Sequence, residues 1–396
     1  MERVVFHIDV NSAYLSWTAV KLLNEKNHED IRKTEAIIGG DESKRHGVVL
    51  ATSIPAKKKG VVTGEPLYRA RKKCPKLKVY PADYACYEEM SAALFKYLSK
   101  YSPEIERYSI DECFLEMTRT NYLYDDLLDL ANQIREDIKK NFGFTVNVGV
   151  GSNKLLAKMA SDFEKPNKTH HLFSDEIETK LWPMEVSKLF MIGPKTAAAL
   201  RNLKIKTIGD LAKADINLLR KRFKNHAQMM WEYANGIDNS KVGGKPAKDP
   251  SISLYHTLAK DIDNLESLKK VLLSISEKIG ISLRDEEKRA STIAINLKTS
   301  DFVSYSGQKT LKNSLYNSKD IYQEALKLLK KTWNQEKIRA IGIRLSSLTE
   351  DSSVQLSLFD EKTQKDKIQE TVDHLNKKYK NLVIRPASLY NDNKEK

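Results

Sequence analysis

Apolar positions along this chain recur with two periods, and the switches between them mark out its elements. The run Val4-Val5-Phe6-His7-Ile8 predicts a buried strand, and Asn11 or Ser12 stands where a cap belongs for a helix continuing through Leu23. Asp9 then closes the strand's carboxyl end. Between about Ala36 and Tyr80 short apolar pieces are broken by Gly39-Gly40 and Thr63-Gly64-Glu65-Pro66, with two basic runs, Lys57-Lys58-Lys59 and Arg69 to Lys73; this reads as a small basic insertion. From Tyr84 the apolar residues Tyr87, Met90, Leu94 and Leu98 return at helical spacing, with Pro103 as the stop. A hairpin follows, its arms Ile105 to Ile110 and Cys113 to Met117 joined at Asp111-Glu112. A second helix (Leu127, Leu130, Ile134, Ile138) and an alternating strand from Thr145 to Val150 complete the order strand, helix, two strands, helix, strand, which is the split βαβ layout.

Leu181 to Gly236 predicts short amphipathic helices without strands, and Lys241 to Pro250 reads as a linker between domains. Beyond it the same order returns: strand Ile252 to Leu258, helix Leu265 to Leu283, alternating Ser291 to Leu297, strand Phe302 to Tyr305, helix Ile321 to Trp333, strand Ile338 to Leu345. After Leu348 the composition turns polar, with one apolar island from Leu356 to Phe359, and most of this tail is expected to be mobile. A helix from Ile368 to Tyr379 and a strand-like Leu382-Val383-Ile384 lie within it.

Composition narrows the picture. At 396 residues the chain exceeds what one hydrophobic core usually serves, so several domains are expected. The 67 basic side chains outnumber the 53 acidic ones, and the resulting charge of +14 points to a polyanionic partner. Cys74, Cys86 and Cys113 are odd in number and form no CxxC pair, which argues against a disulfide framework or zinc site and suits a reducing cytoplasm. The first apolar run is too short for a signal peptide or a membrane span, so neither targeting nor membrane contact is expected.

Candidate chemistry sits at Asp9, Asp111 and Glu112. Taken alone, Asp111-Glu112 reads as a solvated turn and Asp9 as a helix cap. Their shared place at one sheet edge changes this, because three converging carboxylates repel one another unless a cation neutralises them, and magnesium suits all-oxygen donors. Two such ions are the standard device for in-line displacement at phosphorus. Gly149 and Gly151 precede a helix and suggest either a phosphate cradle or an ordinary turn, without the spacing of a P-loop.

Three segments in order, Asp9-Val10-Asn11-Ser12-Ala13-Tyr14, Tyr108-Ser109-Ile110-Asp111-Glu112 and Asn153 to Ser161 with Lys165-Pro166, resemble the Y-family translesion DNA polymerases over roughly residues 4 to 348. The spacing of Ala51 to Lys57 is closer to the bacterial SOS-mutagenesis branch than to the archaeal one. The resemblance implies an α+β multidomain, right-hand polymerase: a ferredoxin-like palm (1–32 and 80–170), small fingers (33–79), a helical thumb (171–240), a linker (241–250), a βαββαβ little finger (251–348) and a tail (349–396). It implies two magnesium ions, with manganese able to substitute, held by Asp9, Asp111, Glu112 and the carbonyl of Val10. Tyr14 falls at the steric-gate position beneath the sugar, and Thr52, Lys57 and Lys165 at the dNTP triphosphate. Many members carry tyrosine and arginine where this chain has Ile54 and Lys57, and a lysine neutralises phosphate without a planar two-oxygen grip.

Ile192, Gly193, Lys195 and Thr196 resemble a helix-hairpin-helix that holds a DNA phosphate through backbone amides, with Met191 in place of its first glycine. Gln355, Leu356, Ser357, Leu358 and Phe359 match the peptide that binds the bacterial sliding clamp. The expected partners are therefore primer-template DNA, dNTP and the clamp, and the expected state is a monomer. Two other readings remain open: a catalytically silent DNA- and clamp-binding protein, and a nucleotidyl cyclase on a similar palm. The second leaves the hairpin motif and the clamp peptide unexplained.

Overall fold

The computed structural model describes residues 3–25, 29–40, 47–243, 251–350, 364–379 and 384. The chain divides into two compact units, the first ending at Lys245 and the second running from Pro246. In the first, the elements are β1 (Val5–Val10), α1 (Ala13–Asn24), β2 (Ala36–Gly39), β3 (Val49–Thr52), α2 (Ile54–Lys58), α3 (Leu67–Lys73), β4 (Lys78–Pro81), α4 (Tyr84–Leu98), β5 (Ile105–Arg107), β6 (Glu112–Glu116), α5 (Leu127–Phe142), β7 (Val146–Gly151), α6 (Lys154–Ser161) and β8 (Thr169–Leu172). Four short helices follow, α7 (Pro194–Asn202), α8 (Ile208–Ala212), α9 (Ile216–Phe223) and α10 (His226–Ala234).

A five-stranded sheet in the order β5-β6-β1-β7-β8 forms the centre of this unit. Along β1, Phe6, Ile8 and Val10 join a core built with α4 and α5, while Val5 joins Phe114 and Ala157 on the other face. Both faces are covered, which is why β1 reads as a continuous apolar run rather than an alternating one. The basic insertion is a separate three-stranded sheet, β3-β2-β4, with its own small core including Ile37, Val49 and Leu67. The helices α7 to α10 pack round Leu181, Leu200, Ile208 and Met230.

Three expectations need correction here. Ser12 occupies the position before α1, but its φ is +49° and its side chain caps no amide; the hydroxyl instead donates to the Thr52 carbonyl at 3.3 Å. Asn11 does not cap α1 either, since its side chain bonds Asn147, Thr145 and Asn167. The hairpin differs too: its first arm stops at Arg107 instead of Ile110, Tyr108 to Asp111 form the connection, and the second arm keeps its length but starts one residue earlier, at Glu112. The amides of Tyr108 and Ser109 both donate to the Glu112 carbonyl, closing the turn one residue early.

In the second unit, β9 (Ser251–Ile262), α11 (Leu265–Asp285), β10 (Lys288–Thr299), β11 (Ser304–Leu315), α12 (Ser318–Thr332) and β12 (Ile338–Glu350) repeat the element order, but not the topology. Here the sheet runs β11-β10-β12-β9, all antiparallel, whereas in the first unit the hairpin joins the sheet through its second strand. Both helices cover one face, with Leu272, Ile279 and Leu329 against Ile293, Ile295 and Ile343. β11 is far longer than Phe302 to Tyr305 suggested; it is an edge strand whose largely exposed, polar and lysine-bearing positions give no apolar alternation.

The expectation of a mostly mobile tail fails for α13 (Gln364–Lys378), which docks on α11. Arg284 Nε donates to Asp373 Oδ2 at 2.5 Å, and the two side chains are only 4% and 13% exposed. Arg284 Nη1 also donates to the Tyr316 carbonyl at 3.1 Å. Gln355 to Phe359, part of the linker, and Leu382-Val383 lie outside the described residues. Replacing Asp373 by Ala strands a buried guanidinium and should cost about 3 kcal/mol. Thermal unfolding of the full chain should show a lowered midpoint, and an unchanged midpoint would mean that the helix does not rest on this pair.

Candidate active site

Strand register assembles the site. Asp9 pairs with Glu112 on one side and with Asn147 on the other, and directly paired residues project from the same face, so the three form a row across β6, β1 and β7. Asp111 precedes the row in the turn, where its carbonyl accepts from the Val10 amide at 3.1 Å and its carboxylate from Ser109 Oγ at 2.6 Å.

Helix α6 lies against this face because β7 carries Gly149 and Gly151. A Cβ on Gly149 would stand 2.0 Å from the Ala157 carbonyl oxygen, and one on Gly151 2.5 Å from the Ala157 nitrogen. The glycines thus serve close backbone approach rather than a phosphate cradle. The approach delivers Lys158, whose residue is 8% exposed, to the row. Its Nζ stands 3.1 Å from Glu112 Oε2, 3.6 Å from Asp9 Oδ2 and 3.5 Å from Asp162 Oδ2. Lys165 pairs with Asp9 and, at 2.7 Å, with Asp162. His7, fully buried, places Nε2 3.3 Å from Glu112 Oε2 and Nδ1 2.8 Å from Ser161 Oγ.

These contacts set the protonation states. Burial alone would raise the Glu112 carboxyl, but His7 and Lys158 outweigh it and hold the group at about 2. Burial pushes Asp111 up, opposed by Ser109 and reinforced by the charges of Asp9 and Glu112. Lys158 and Lys165 would be lowered by burial, yet the surrounding carboxylates raise both. Burial keeps His7 below its ordinary value. Lys57 is lowered by burial and by the neighbouring Lys165, a repulsion that a polyanion between them would relieve.

All of this opens on a cavity of about 660 Å³ lined by Asp9, Val10, Tyr14, Thr52, Lys57, Asp111, Glu112 and Lys165, so every residue expected at the metal and nucleotide shares one space. Ile54 lines it too and is 49% exposed. Tyr14 stacks on Tyr87, ring centroids 4.5 Å apart and nearly parallel. Thr52 is buried, its hydroxyl 3.4 Å from that of Thr63. Ser12 receives a hydrogen bond from Lys57 Nζ at 3.2 Å, and the start of α1, which no side chain caps, faces the cavity with its amide dipoles.

The donor set fits a hard divalent cation, being all oxygen, and Glu112 Oε2 is buried without a well-directed hydrogen bond despite its ion pair with Lys158. The three carboxylates are not drawn into one ligand group, however: among the described residues no three His, Cys, Asp or Glu side chains stand close enough to hold an ion. Lys158 and Lys165 supply the positive charge instead. Sequence reasoning assigned no role to Lys158, His7 or Asn147. A lysine on the apolar face of α6, four residues before Asp162, was the one visible signal.

Ile192, Gly193, Lys195 and Thr196 lie together at the start of α7, where Gly193 is the extended residue before the helix and a Cβ there would meet nothing within 4 Å. Met191 has φ +69°, so the backbone keeps the left-handed conformation that glycine favours. Gly209, in contrast, lies tight against Trp182. No helix among the described residues is long and apolar enough to cross a membrane.

The chain is similar to known proteins along its whole length. Residues 8–162 match the impB/mucB/samB family, residues 249–358 its C-terminal domain, and residues 174–205 the HHH motif of the same family. A DNA polymerase IV of Clostridium acetobutylicum is 47% identical over 397 residues, covering 100% of both chains. One from Clostridium kluyveri is 36% identical, again over 100% of both, and the DNA polymerase IV 1 of Bacillus subtilis is 32% identical over 98% of this chain and 93% of its own. Among solved structures, a Y-family DNA polymerase chimera superposes with a TM-score of 0.75 at 23% identity, covering 88% of this chain and 99% of that one.

The depressed Glu112 carboxyl carries a pH signature. It titrates near 4.5 when unfolded and at about 2 when folded, so its pairing stabilises the fold fully above pH 4.5 and is lost as pH falls toward 2. The contribution is on the order of 2–3 kcal/mol after allowance for partial exposure. Urea unfolding at pH 5 and pH 3 should show a larger loss for the wild type than for Glu112→Gln; equal losses would contradict the pairing.

Proposed function

The chain belongs to the impB/mucB/samB family, the Y-family DNA polymerases, and from that premise we propose that the cavity beside the Asp9–Glu112 row is its nucleotidyl-transfer site. It is a DNA-directed DNA polymerase of the translesion class, adding dNTPs to a primer 3′ end. Such nucleotidyl transfer requires divalent metal. We assign two magnesium ions, replaceable by manganese, to Asp9, Asp111, Glu112 and the Val10 carbonyl; when bound, they polarise the 3′-hydroxyl and neutralise the triphosphate. The primer oxygen forms its bond to the α-phosphorus as the bond to pyrophosphate breaks.

The rest is work for the chain's own side chains. Lys165 and Lys57 hold the triphosphate, with the dipole of α1 adding to their field. Thr52 contributes a hydroxyl to the same phosphates. To the Tyr14 ring, held by its stack on Tyr87 and lining the cavity, we assign the exclusion of a ribose 2′-hydroxyl. Lys57 gives a looser grip than an arginine would, so dNTP affinity leans more heavily on Lys165.

In this reading the five-stranded sheet is the palm, the three-stranded sheet the fingers, α7 to α10 the thumb and the second unit the little finger. The amides at Gly193 and Lys195, with Ile192 and Thr196 beside them, take a DNA phosphate without reading sequence, and the second unit adds salt-dependent backbone contacts. Gln355 to Phe359 dock on the bacterial sliding clamp, with Leu356, Leu358 and Phe359 as anchors and Gln355 and Ser357 between and beside them. The protein works as a cytoplasmic monomer. The observation that carries this reading is the gathering of three distant motifs round one cavity of nucleotide size.

Primer extension tests it. Asp111→Asn should reduce extension to background while leaving primer-template binding near the wild-type level, and undiminished extension would refute the metal assignment. Deleting residues 355–359 should abolish stimulation by the clamp and leave clamp-free extension intact; clamp stimulation that survives the deletion would remove the peptide's role.

A further inference from the structure

Two polar residues beside the carboxylates are left without a part in the reaction: Asn11, which does not cap its helix, and Asn147, the third member of the row. Asn147 is fully buried on β7. Its Nδ2 donates to the Glu164 carbonyl at 2.6 Å and to the Ser161 carbonyl at 3.0 Å, while its Oδ1 accepts from Asn11 Nδ2 at 3.0 Å and, more weakly, from the Lys168 amide at 3.4 Å. Asn11 Oδ1 in turn accepts from the Asn167 amide at 2.8 Å and from Thr145 Oγ1 at 3.0 Å. The bonds therefore reach the chain at residue 164 on one side of Lys165 and at 167 and 168 on the other. Lys165 is the residue they bracket.

A buried amide is costly unless satisfied, and an aliphatic side chain in its place would leave the Glu164 and Ser161 carbonyls without these donors. The bracket matters because a lysine carries its charge on a flexible stem, so where the ammonium stands depends on how firmly the backbone beneath it is held. With both flanks clipped to β7 and to the residue that follows β1, the Lys165 ammonium meets Asp9 and Asp162 instead of ranging through solvent.

We propose that Asn147, acting with Asn11, is a positioning residue for Lys165: it fastens the segment on either side of that lysine to the sheet and so aims the ammonium at the phosphates of the incoming dNTP. The inference rests on the assignment of Lys165 to the triphosphate. Asn147 is fully buried and does not line the cavity, whereas Asn11 does, so the decisive comparison is made at Asn147. Their effect passes through Lys165, by pre-organisation.

A double-mutant cycle on the full chain tests it, with primer extension measured as a function of dNTP concentration. Lys165→Ala alone should raise KM for dNTP; if KM stays at the wild-type value, the Lys165 assignment falls and the inference with it. Given that rise, Asn147→Ser should raise KM about tenfold with a smaller change in kcat, and should add nothing in the Lys165→Ala background. A wild-type KM in Asn147→Ser, or an undiminished further rise in the double variant, would overturn the proposal, because a general loosening of the fold would act whether or not the lysine were present. Asn11→Ala, which removes the bond to the Asn167 amide and leaves the buried site on β7 filled, should move KM in the same direction. Should Asn147→Ser fail to fold, an unchanged KM in Asn11→Ala overturns the proposal by itself.

Discussion

Asp9 and Glu112 face each other across one strand pair, on the side of the sheet that α6 covers, and carboxylates held so close in a partly dry setting repel unless positive charge stands between them. Lys158 and Lys165 provide it, one from within α6 and one from the segment after it. Much of the first unit is arranged to make that possible. Gly149 and Gly151 let α6 come down onto β7, and the approach brings Lys158 and Ser161 to the row. A single methyl group on Gly149 would strike the Ala157 carbonyl and move the helix with its lysine.

The same arrangement suits the reaction proposed for the site. Asp9 and Glu112 are held in register by the strand pair, so the frame fixes where their charge stands, which is the sense in which electrostatic catalysis depends on the folded protein. The two lysines differ in what they face. Lys165 lines the cavity while pairing with Asp9, so under the proposed assignment it exchanges one anion for another without leaving the site. Lys158, buried and held by three carboxylates, is the structural member of the pair.

Much of this was legible before any coordinates. The buried strand ending near Asp9, the helices α4, α5, α11 and α12, and the acidic pair at the hairpin all follow from period and from turn chemistry. What escaped did so for identifiable reasons. Asn11 and Ser12 have the composition of a cap, but Ser12 adopts a left-handed backbone and Asn11 is engaged by residues more than 130 positions away, which local rules cannot see. Gly149 and Gly151 could have served phosphate or packing, and only the position of α6 decides. β11 hid because an edge strand of mostly polar, exposed positions has too few apolar residues on its packed face to show a pattern. Asn147 gave no signal because a lone polar residue in a strand that alternates with glycine and valine looks like a solvent-facing position, and the register that puts it beside Asp9 is a long-range fact.

A cation site that lysine charge keeps ready must bind a divalent metal at the Asp9–Glu112 row. Manganese is paramagnetic, so its binding can be followed by the loss of the free-ion resonance in a titration with dNTP present and no catalysis required. The row predicts saturable binding to the wild-type chain and a marked loss of affinity in Asp9→Asn. Equal manganese binding by the two proteins would contradict it.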